Sequence, residues 1–208
     1  MLWNLWFFSF WSVAIVADAA HSSFGRSALI AAFNAGAGIL GFPAGGWLSD
    51  VAVRRGLGRK PLVVGFTAIQ FVMTIAFGFV IMGGKPSVWL MAALLFTAST
   101  FFNAMQPIAQ AMLADITDEA HRGAAFGMNN LIGETGAVLS PAVSGALFDS
   151  TKGWESAVFL DAGLIGIAVV LFLLVHERTS SQVLGGEQPA PGRRFARPAP
   201  AQAARNRG

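Results

Sequence analysis

Six long apolar segments constrain the fold of this chain more than any other feature of its sequence. Each is close to the ~20 residues that a helix needs to cross a bilayer. The chain is 54% hydrophobic and only 12% charged, whereas a soluble domain carries about 25% charged residues. Because lipid offers the backbone no hydrogen-bond partners, each segment is expected to be an α-helix of an all-α integral membrane protein. The segments are predicted at residues 3–20, 27–49, 62–83, 88–113, 123–148 and 156–176.

The loops that join these segments differ in charge. Eleven of the 14 lysines and arginines fall in alternate loops and in the C-terminal tail, and three fall in the opposite loops. Because cytoplasmic loops carry the excess of positive charge, we expect both termini to be cytoplasmic and the chain to be integral to a bacterial-type inner membrane, the plasma membrane. Trp3 and Trp47 at predicted cytoplasmic helix ends, with Trp89 and Trp154 at outer ends, agree with an interfacial aromatic belt.

The first segment allows a second interpretation. Its apolar residues are followed by Ala17-Asp18-Ala19, which has the small residues of a signal-peptide cleavage site. No lysine or arginine precedes the segment, so the positive region that begins a signal peptide is missing. We expect an uncleaved helix, because it keeps the loop charges consistent with one orientation.

The chain is predicted to have two parts, a six-helix bundle at residues 1–178 and a cytoplasmic tail at residues 179–208. The tail is rich in Gly, Pro, Gln, Ala and Arg and has little to bury, so we predict that it is disordered. Its basic residues are expected to attract anionic lipid, at roughly 1 kcal/mol each near the surface, rather than nucleic acid. They are Arg193, Arg194, Arg197, Arg205 and Arg207.

The second and fifth segments share a pattern that suggests an internal repeat. With the orientation above, the second segment runs inward and the fifth outward, as two three-helix units of inverted topology require. Chance similarity between two glycine-rich helices is the alternative. The matching positions are Gly38, Pro43, Gly46, Leu48 and Asp50 in the second segment and Gly136, Pro141, Gly145, Leu147 and Asp149 in the fifth.

Two stretches of the sequence resemble a known family. The first, from Gly46 to Lys60, reads Gly-x-Leu-Ser-Asp and then Gly-Arg-Lys, and the second, from Arg122 to Gly127, reads Arg-Gly-x-x-Phe-Gly. Over about residues 3–178 the chain resembles the major facilitator superfamily (MFS) of secondary transporters. Members have two six-helix halves, each built from two inverted three-helix repeats. The resemblance therefore implies that this chain has half of an MFS fold.

The resemblance also implies a partner, namely a second six-helix half on another copy of this chain or on a separate chain. We favour the C-terminal half for this chain. The fourth segment lacks the arginine often found in the corresponding helix of the N-terminal half, since residues 97–110 contain none. The sixth segment is followed by a short polar tail, which is typical of a C-terminal half.

The first motif implies a gate loop on the cytoplasmic side, in which the aspartate pairs with a nearby arginine. Val51 stands where the family has a basic residue directly after Asp50, and the loop is longer than the usual family form. Arg54 or Arg55 would then have to pair with Asp50. The candidate gate residues are Gly46, Asp50, Arg54, Arg55, Gly58, Arg59 and Lys60.

Three acidic residues in predicted helices are candidates for ion coupling. Glu134 lies eleven residues beyond Gly123, about 16 Å deep at 1.5 Å per residue. An acid near the bilayer midplane is costly and suggests a proton carrier or a cation contact, with helix packing as the alternative. Asp18 and Asp161 lie near the outer ends of their segments, where we expect water to solvate them, and are secondary candidates.

Asn103, Gln106 and Gln110 are the candidates for contact with a solute. Their spacings of three and four residues place them on one face of the fourth helix, which Pro107 is expected to interrupt. The resemblance implies that this helix lines a cavity, so the stripe would bind hydroxyl or carboxyl groups. Hydrogen bonding between helices is the alternative. Asn130 is a further cavity candidate, whereas Asn34 and Gln70 are expected to join helices.

The resemblance implies transport of a small polar solute by alternating access, coupled by family analogy to protons, with this chain supplying one half. A non-transporting remnant or a membrane-integral partner subunit is the alternative. An enzyme is not expected, because no catalytic constellation or metal-ligand spacing is present. The chain has no cysteine, and the sequence predicts no cofactor.

Overall fold

The computed structural model describes residues 2–84 and 86–174 of the chain. In these residues there are six helices long and apolar enough to cross a membrane, which confirms the predicted fold class. The predicted tail at residues 179–208 lies outside the described residues. The helices are α1 (Leu2–Ala19), α2 (Phe24–Arg54), α3 (Lys60–Met82), α4 (Val88–Ile116), α5 (Arg122–Thr151) and α6 (Glu155–Leu174), with a 3₁₀ turn at Glu119–His121 before α5.

Three prolines lie inside helices without ending them. Pro43 is within α2, Pro107 within α4 and Pro141 within α5. The expectation that Pro107 interrupts the fourth helix was therefore wrong. A proline removes one helical hydrogen bond, and a membrane helix tolerates that loss because neighbouring helices and small local adjustments satisfy the freed backbone group.

The helix packing follows an inverted repeat. Helix α2 packs mainly against α4, α5 packs mainly against α1, and α3 packs against α4 and α6. Exchanging α1 with α4, α2 with α5 and α3 with α6 converts the α2–α4 pair into the α5–α1 pair. The fold is therefore two three-helix repeats of inverted topology, as half of an MFS fold requires.

Glycines bring α2 unusually close to α4. A Cβ added at Gly41 would lie 2.6 Å from the Cβ of Asn103, and one added at Gly45 would overlap the backbone of Ala104. Small residues let membrane helices approach to backbone contact, where dispersion and hydrogen bonds act. The repeat-related glycines behave alike, since a Cβ at Gly38 would meet α4 and one at Gly136 would meet α1, each at 3.5 Å.

Helix α1 begins beside the middle of α5. Gly136, near the centre of α5, packs on Trp3, and the Ser140 hydroxyl donates to the Trp3 carbonyl oxygen at 2.9 Å. The interpretation of Trp3 as an interfacial anchor was therefore wrong. Loop charges predict which way a helix runs, but they do not fix how deep its first residue lies.

Two apolar clusters lie at the two ends of the bundle. One contains Phe77, Met91 and Trp154 and lies towards the α1–α2, α3–α4 and α5–α6 connections. The other contains Val63 and Met112 and lies towards the α2–α3 and α4–α5 connections, an end that we call the basic end. Three buried polar side chains, those of Asn4, Gln70 and Asp161, form a polar layer between the two clusters. The candidate site is in this polar layer.

Candidate functional site

A cleft of about 320 Å³ opens between α1, α2 and α4 in the polar layer. Its volume lies at the lower end of the range of small-molecule sites, roughly 300–1,000 Å³. The described residues that line it include no charged side chain, so the cleft offers hydroxyl and amide groups for neutral hydrogen bonding. The polar lining residues are Asn4, Ser9, Ser12, Asn34, Ser99 and Asn103.

One wall of the cleft carries a buried acceptor that lacks a hydrogen bond. The Oδ1 atom of Asn34 is buried and has no partner among the described residues. Leaving a buried polar group unsatisfied costs about 1–3 kcal/mol. On the facing helix, the Asn103 amide nitrogen donates to the Ser99 carbonyl oxygen at 2.8 Å and to the Ser99 hydroxyl at 3.3 Å. Asn34 can therefore accept a hydrogen bond from a hydroxyl group bound in the cleft.

Of the predicted cavity residues, Asn103 alone lines this cleft. Gln106 is half-buried and Gln110 is exposed, both farther towards the basic end of α4, and Asn130 is exposed on α5. Helix α2 crosses close to α4 at Gly41 and Gly45, and the cleft does not extend past this crossing. Gln106 and Gln110 lie beyond the crossing on α4, so they do not reach the cleft.

Most of the cleft's polar residues were not predicted from the sequence. Asn34 was interpreted as a residue that joins helices, and the serines were not singled out. A signal was nevertheless present, because Ser99 and Asn103 are four residues apart on α4, and Asn4 and Ser12 are eight apart on α1. Multiples of four residues keep side chains on nearly one helical face.

A second polar group lies beside the cleft and contains Asp161. The Asn4 amide nitrogen donates to Asp161 Oδ2 at 2.5 Å, and the Gln70 amide nitrogen donates to Asn4 Oδ1 at 2.7 Å. Asp161 is fully buried, so the expectation that water solvates it was wrong. Its position along the sequence gave its distance from the helix end but not its face, and that face packs on α1 and α3.

The other two acidic candidates are exposed and far apart in the fold. Glu134 lies on the surface of α5, close to Gly133, which packs on Leu2 at the start of α1. Asp18 lies on the surface at the last turn of α1, where solvation was expected. The structure therefore does not gather the three acids into one site.

At the basic end, Arg59 and Lys60 connect the start of α3 to three other helices. Arg59 forms a salt bridge with Asp115 of α4, and its Nε donates to the Ser49 hydroxyl of α2 at 2.9 Å. The Lys60 ammonium donates to the Leu173 carbonyl oxygen of α6 at 2.7 Å. A cation is favourable there because the last carbonyls of a helix lack helical partners and carry partial negative charge.

The other candidate gate residues are more exposed. Asp50, Arg54 and Arg55 lie on the surface, and within the described part of the chain Asp50 makes no ion pair with either arginine. The expected pairing is thus not present, and the arginine that does join helices at this end is Arg59, through Ser49 and Asp115. Gly58 has φ +70°, which favours glycine in this turn. Around Gly46, the position of an added Cβ is open.

Two comparisons with known proteins bear on this geometry. The family model of the Major Facilitator Superfamily matches residues 2–207. The hexuronate transporter of Bacillus subtilis (strain 168) is 29% identical over 177 residues, which cover 81% of this chain and 41% of that protein. The chain thus spans less than half the length of this curated relative. With six membrane-length helices in two inverted repeats and a match along nearly its whole length, this chain belongs to the Major Facilitator Superfamily, a family of transporters rather than enzymes.

Proposed function

We propose that this chain supplies one six-helix half of a secondary transporter that moves a small polar solute across the membrane by alternating access. The observation that carries this proposal is the polar cleft of about 320 Å³ among α1, α2 and α4. A polar space inside a membrane bundle is costly unless it serves a ligand or a pathway. The solute would lie in this cleft and be exposed in turn to the two sides of the membrane.

The lining of the cleft favours a solute rich in hydroxyl groups. Asn34 offers an unpartnered acceptor, and Ser99 and Asn103 lie on the facing helix. The relative is named for hexuronates, which are sugar acids with several hydroxyl groups and one carboxylate. The described lining of this cleft holds hydroxyl and amide groups but no cation, so the carboxylate would be bound by another part of the transporter.

The surface of α5 supports a second six-helix half, from another copy of this chain or a separate chain. Glu134 and Asn130 are exposed near its middle. A charged side chain at the bilayer centre costs about 2.5–3.5 kcal/mol on insertion scales, so this face must meet protein or water rather than lipid. At Gly123 and Gly127 an added Cβ would meet open space, which leaves room for another helix.

Ion coupling and gating complete the proposal. The coupling ion is a proton by family analogy, and the acidic candidates are Glu134, Asp161 and Asp18. The gate lies at the basic end, where Asp50, Arg54, Arg55, Gly58 and Gly46 surround the Arg59 and Lys60 contacts. Opening that side would require these contacts to break.

The placement in the membrane follows from the loop charges. The basic end faces the cytoplasm of a bacterial-type inner membrane, α6 ends on that side beside Lys60, and the basic residues at positions 179–208 would attract anionic lipid there. Residues 1–178 form the bundle. Tagging each connection with a cysteine and labelling it from one side of the membrane tests this orientation.

The transport proposal is tested by reconstituting the chain into proteoliposomes and measuring uptake of labelled D-glucuronate, a hexuronate. We expect saturable uptake that falls at least tenfold in the Asn34→Ala variant and is reduced in Ser99→Ala. The matched control is Thr100→Val, because the Thr100 hydroxyl donates to the Phe96 carbonyl oxygen and does not line the cleft. Folded protein that takes up no solute, alone or with a second half, would instead identify a non-transporting subunit.

A further inference from the structure

We infer that Asp161 is the residue that takes up the coupling proton, and that Asn4 is the positioning residue that links Asp161 to solute in the cleft. The inference rests on the proposed transport function and selects one of its three acidic candidates. It is carried by the contacts of Asn4, which joins two spaces that are otherwise separate.

Among the described residues, no basic side chain lies beside Asp161. A space of about 20 Å³ beside it is lined by Trp3 and Asn4 of α1, Thr67 and Gln70 of α3, and apolar residues of α6. None of these side chains is basic, and Asp161 Oδ1 has no partner among the described residues. An isolated buried carboxylate is strongly disfavoured, so the neutral protonated form fits this environment.

The charged residues of the helices packed on α6 lie away from this space. Those helices are α1, α3 and α5. The α-amino group of the chain stands three residues before Asn4 in the sequence and is the basic group nearest to it along the chain. The described charged residues of these helices and of α6, none of which lines the space, are Asp18, Lys60, Arg122, Glu134, Asp149 and Glu155.

The hydrogen bond between Asn4 and Asp161 joins the amide of α1 to a carboxyl oxygen of α6, and it is compatible with a protonated carboxyl group. The oxygen and nitrogen of an asparagine amide are nearly interchangeable in shape. With the amides of Asn4 and Gln70 both turned over, a protonated Asp161 donates to Asn4 Oδ1, and Asn4 in turn donates to Gln70 Oε1.

Asn4 lies between the two spaces. Its side chain lines both the 20 Å³ space beside Asp161 and the 320 Å³ cleft, and no other described residue lines both. A solute hydroxyl that binds the Asn4 amide competes with Asp161 for it, which changes how firmly the proton is held. A volume of 20 Å³ is enough for one water molecule, which could accept the proton that Asp161 releases.

The proton is tested directly by infrared difference spectroscopy on the purified chain in lipid. We expect a carbonyl band of a protonated buried carboxyl group that is lost in Asp161→Asn and kept in Glu155→Gln. Adding D-glucuronate should shift this band in the wild type but not in Asn4→Ala. Absence of the band in the wild type at all pH values studied, as an ion pair with the α-amino group would produce, overturns the inference.

Transport provides the second readout. In proteoliposomes, we expect the rate of uptake driven by a pH gradient to be at least tenfold lower in Asp161→Asn than in the wild type. Exchange of solute without a pH gradient should continue, because a neutral amide mimics the protonated acid but cannot release a proton. The control is Glu155→Gln, which neutralises an acid at the first turn of the same helix. Unchanged pH-driven uptake in Asp161→Asn contradicts the inference. If the wild type transports nothing, the transport proposal fails, and the infrared result alone decides the role of Asp161.

Discussion

The two repeat-related helix pairs of this protein are held together differently. In the α2–α4 pair, Gly41 and Gly45 allow backbone contact. In the α1–α5 pair, side-chain hydrogen bonds replace that contact, from Ser140 to the Trp3 carbonyl oxygen and from the Trp11 indole to the Pro141 carbonyl oxygen at 3.1 Å. Helix α5 buries three residues, whereas its repeat counterpart α2 buries seven. One pair is thus completed within the chain, and the other leaves a surface that a second half can cover.

The connections that follow α2 and α5 differ as well. After α2, Arg59 joins Ser49 and Asp115 through charge-assisted hydrogen bonds. After α5, the buried ring of Trp154 stacks on Phe148 at 4.3 Å and contacts Trp11 at 5.1 Å. The same position in the repeat is therefore stabilised by charge at one end of the bundle and by aromatic packing at the other.

The largest effect is expected from removing the aromatic packing. Trp154→Ala should lower the free energy of unfolding by about 3 kcal/mol, because a large buried ring is lost and its cavity remains. The control is Trp89→Ala, whose ring is 77% exposed at the start of α4. Thermal unfolding in detergent measures both. Equal losses in the two variants would mean that Trp154 anchors the chain to detergent rather than packing in the bundle.

The sequence predicts the positions of the helices and the internal repeat, but it does not predict the buried polar contacts. Runs of apolar residues located all six helices, but α2 extends to Arg54 rather than residue 49, because helical hydrogen bonding continues into the polar residues that hydropathy excludes. The internal repeat could be recognised from its glycines and prolines. The burial of Asp161 and the position of Asn4 could not be predicted from the sequence, since they depend on which helices face each other across the bundle.

The next effect concerns the close approach of α2 to α4. Gly45→Ala should destabilise the protein by about 1–3 kcal/mol, because the new methyl group meets the backbone of Ala104, which cannot move aside without separating the helices. Gly36→Ala in the same helix is the control, since an added Cβ there meets open space and alanine favours a helix. Urea or thermal unfolding compares them, and equal stabilities would show that the two helices are not in backbone contact.

A smaller effect is expected at the basic end. Arg59→Ala should cost about 1 kcal/mol, because Asp115 is 56% exposed and water screens the salt bridge. The loss should shrink in high salt. Arg55→Ala, which removes an exposed arginine of the same loop, should change stability by less than about 0.5 kcal/mol. A cost for Arg59→Ala that does not depend on salt would show that Ser49, not Asp115, is the partner that matters.

The smallest effect on stability is expected from Glu134→Gln. This variant tests whether the exposed face of α5 in the α1–α5 pair is used by a second half. Glu134 is exposed on α5, so unfolding of the isolated chain should change by less than about 0.5 kcal/mol. In an assembled transporter the same residue would face the second half or the cavity, but because Asp161 is the proposed coupling residue, the pH dependence of uptake should not change. A changed pH dependence in Glu134→Gln would instead assign Glu134 a part in coupling. If uptake keeps its pH dependence while stability is also unchanged, Glu134 has no part in coupling. The exposed face of α5 would then have to be explained by its glycines and by Asn130 alone.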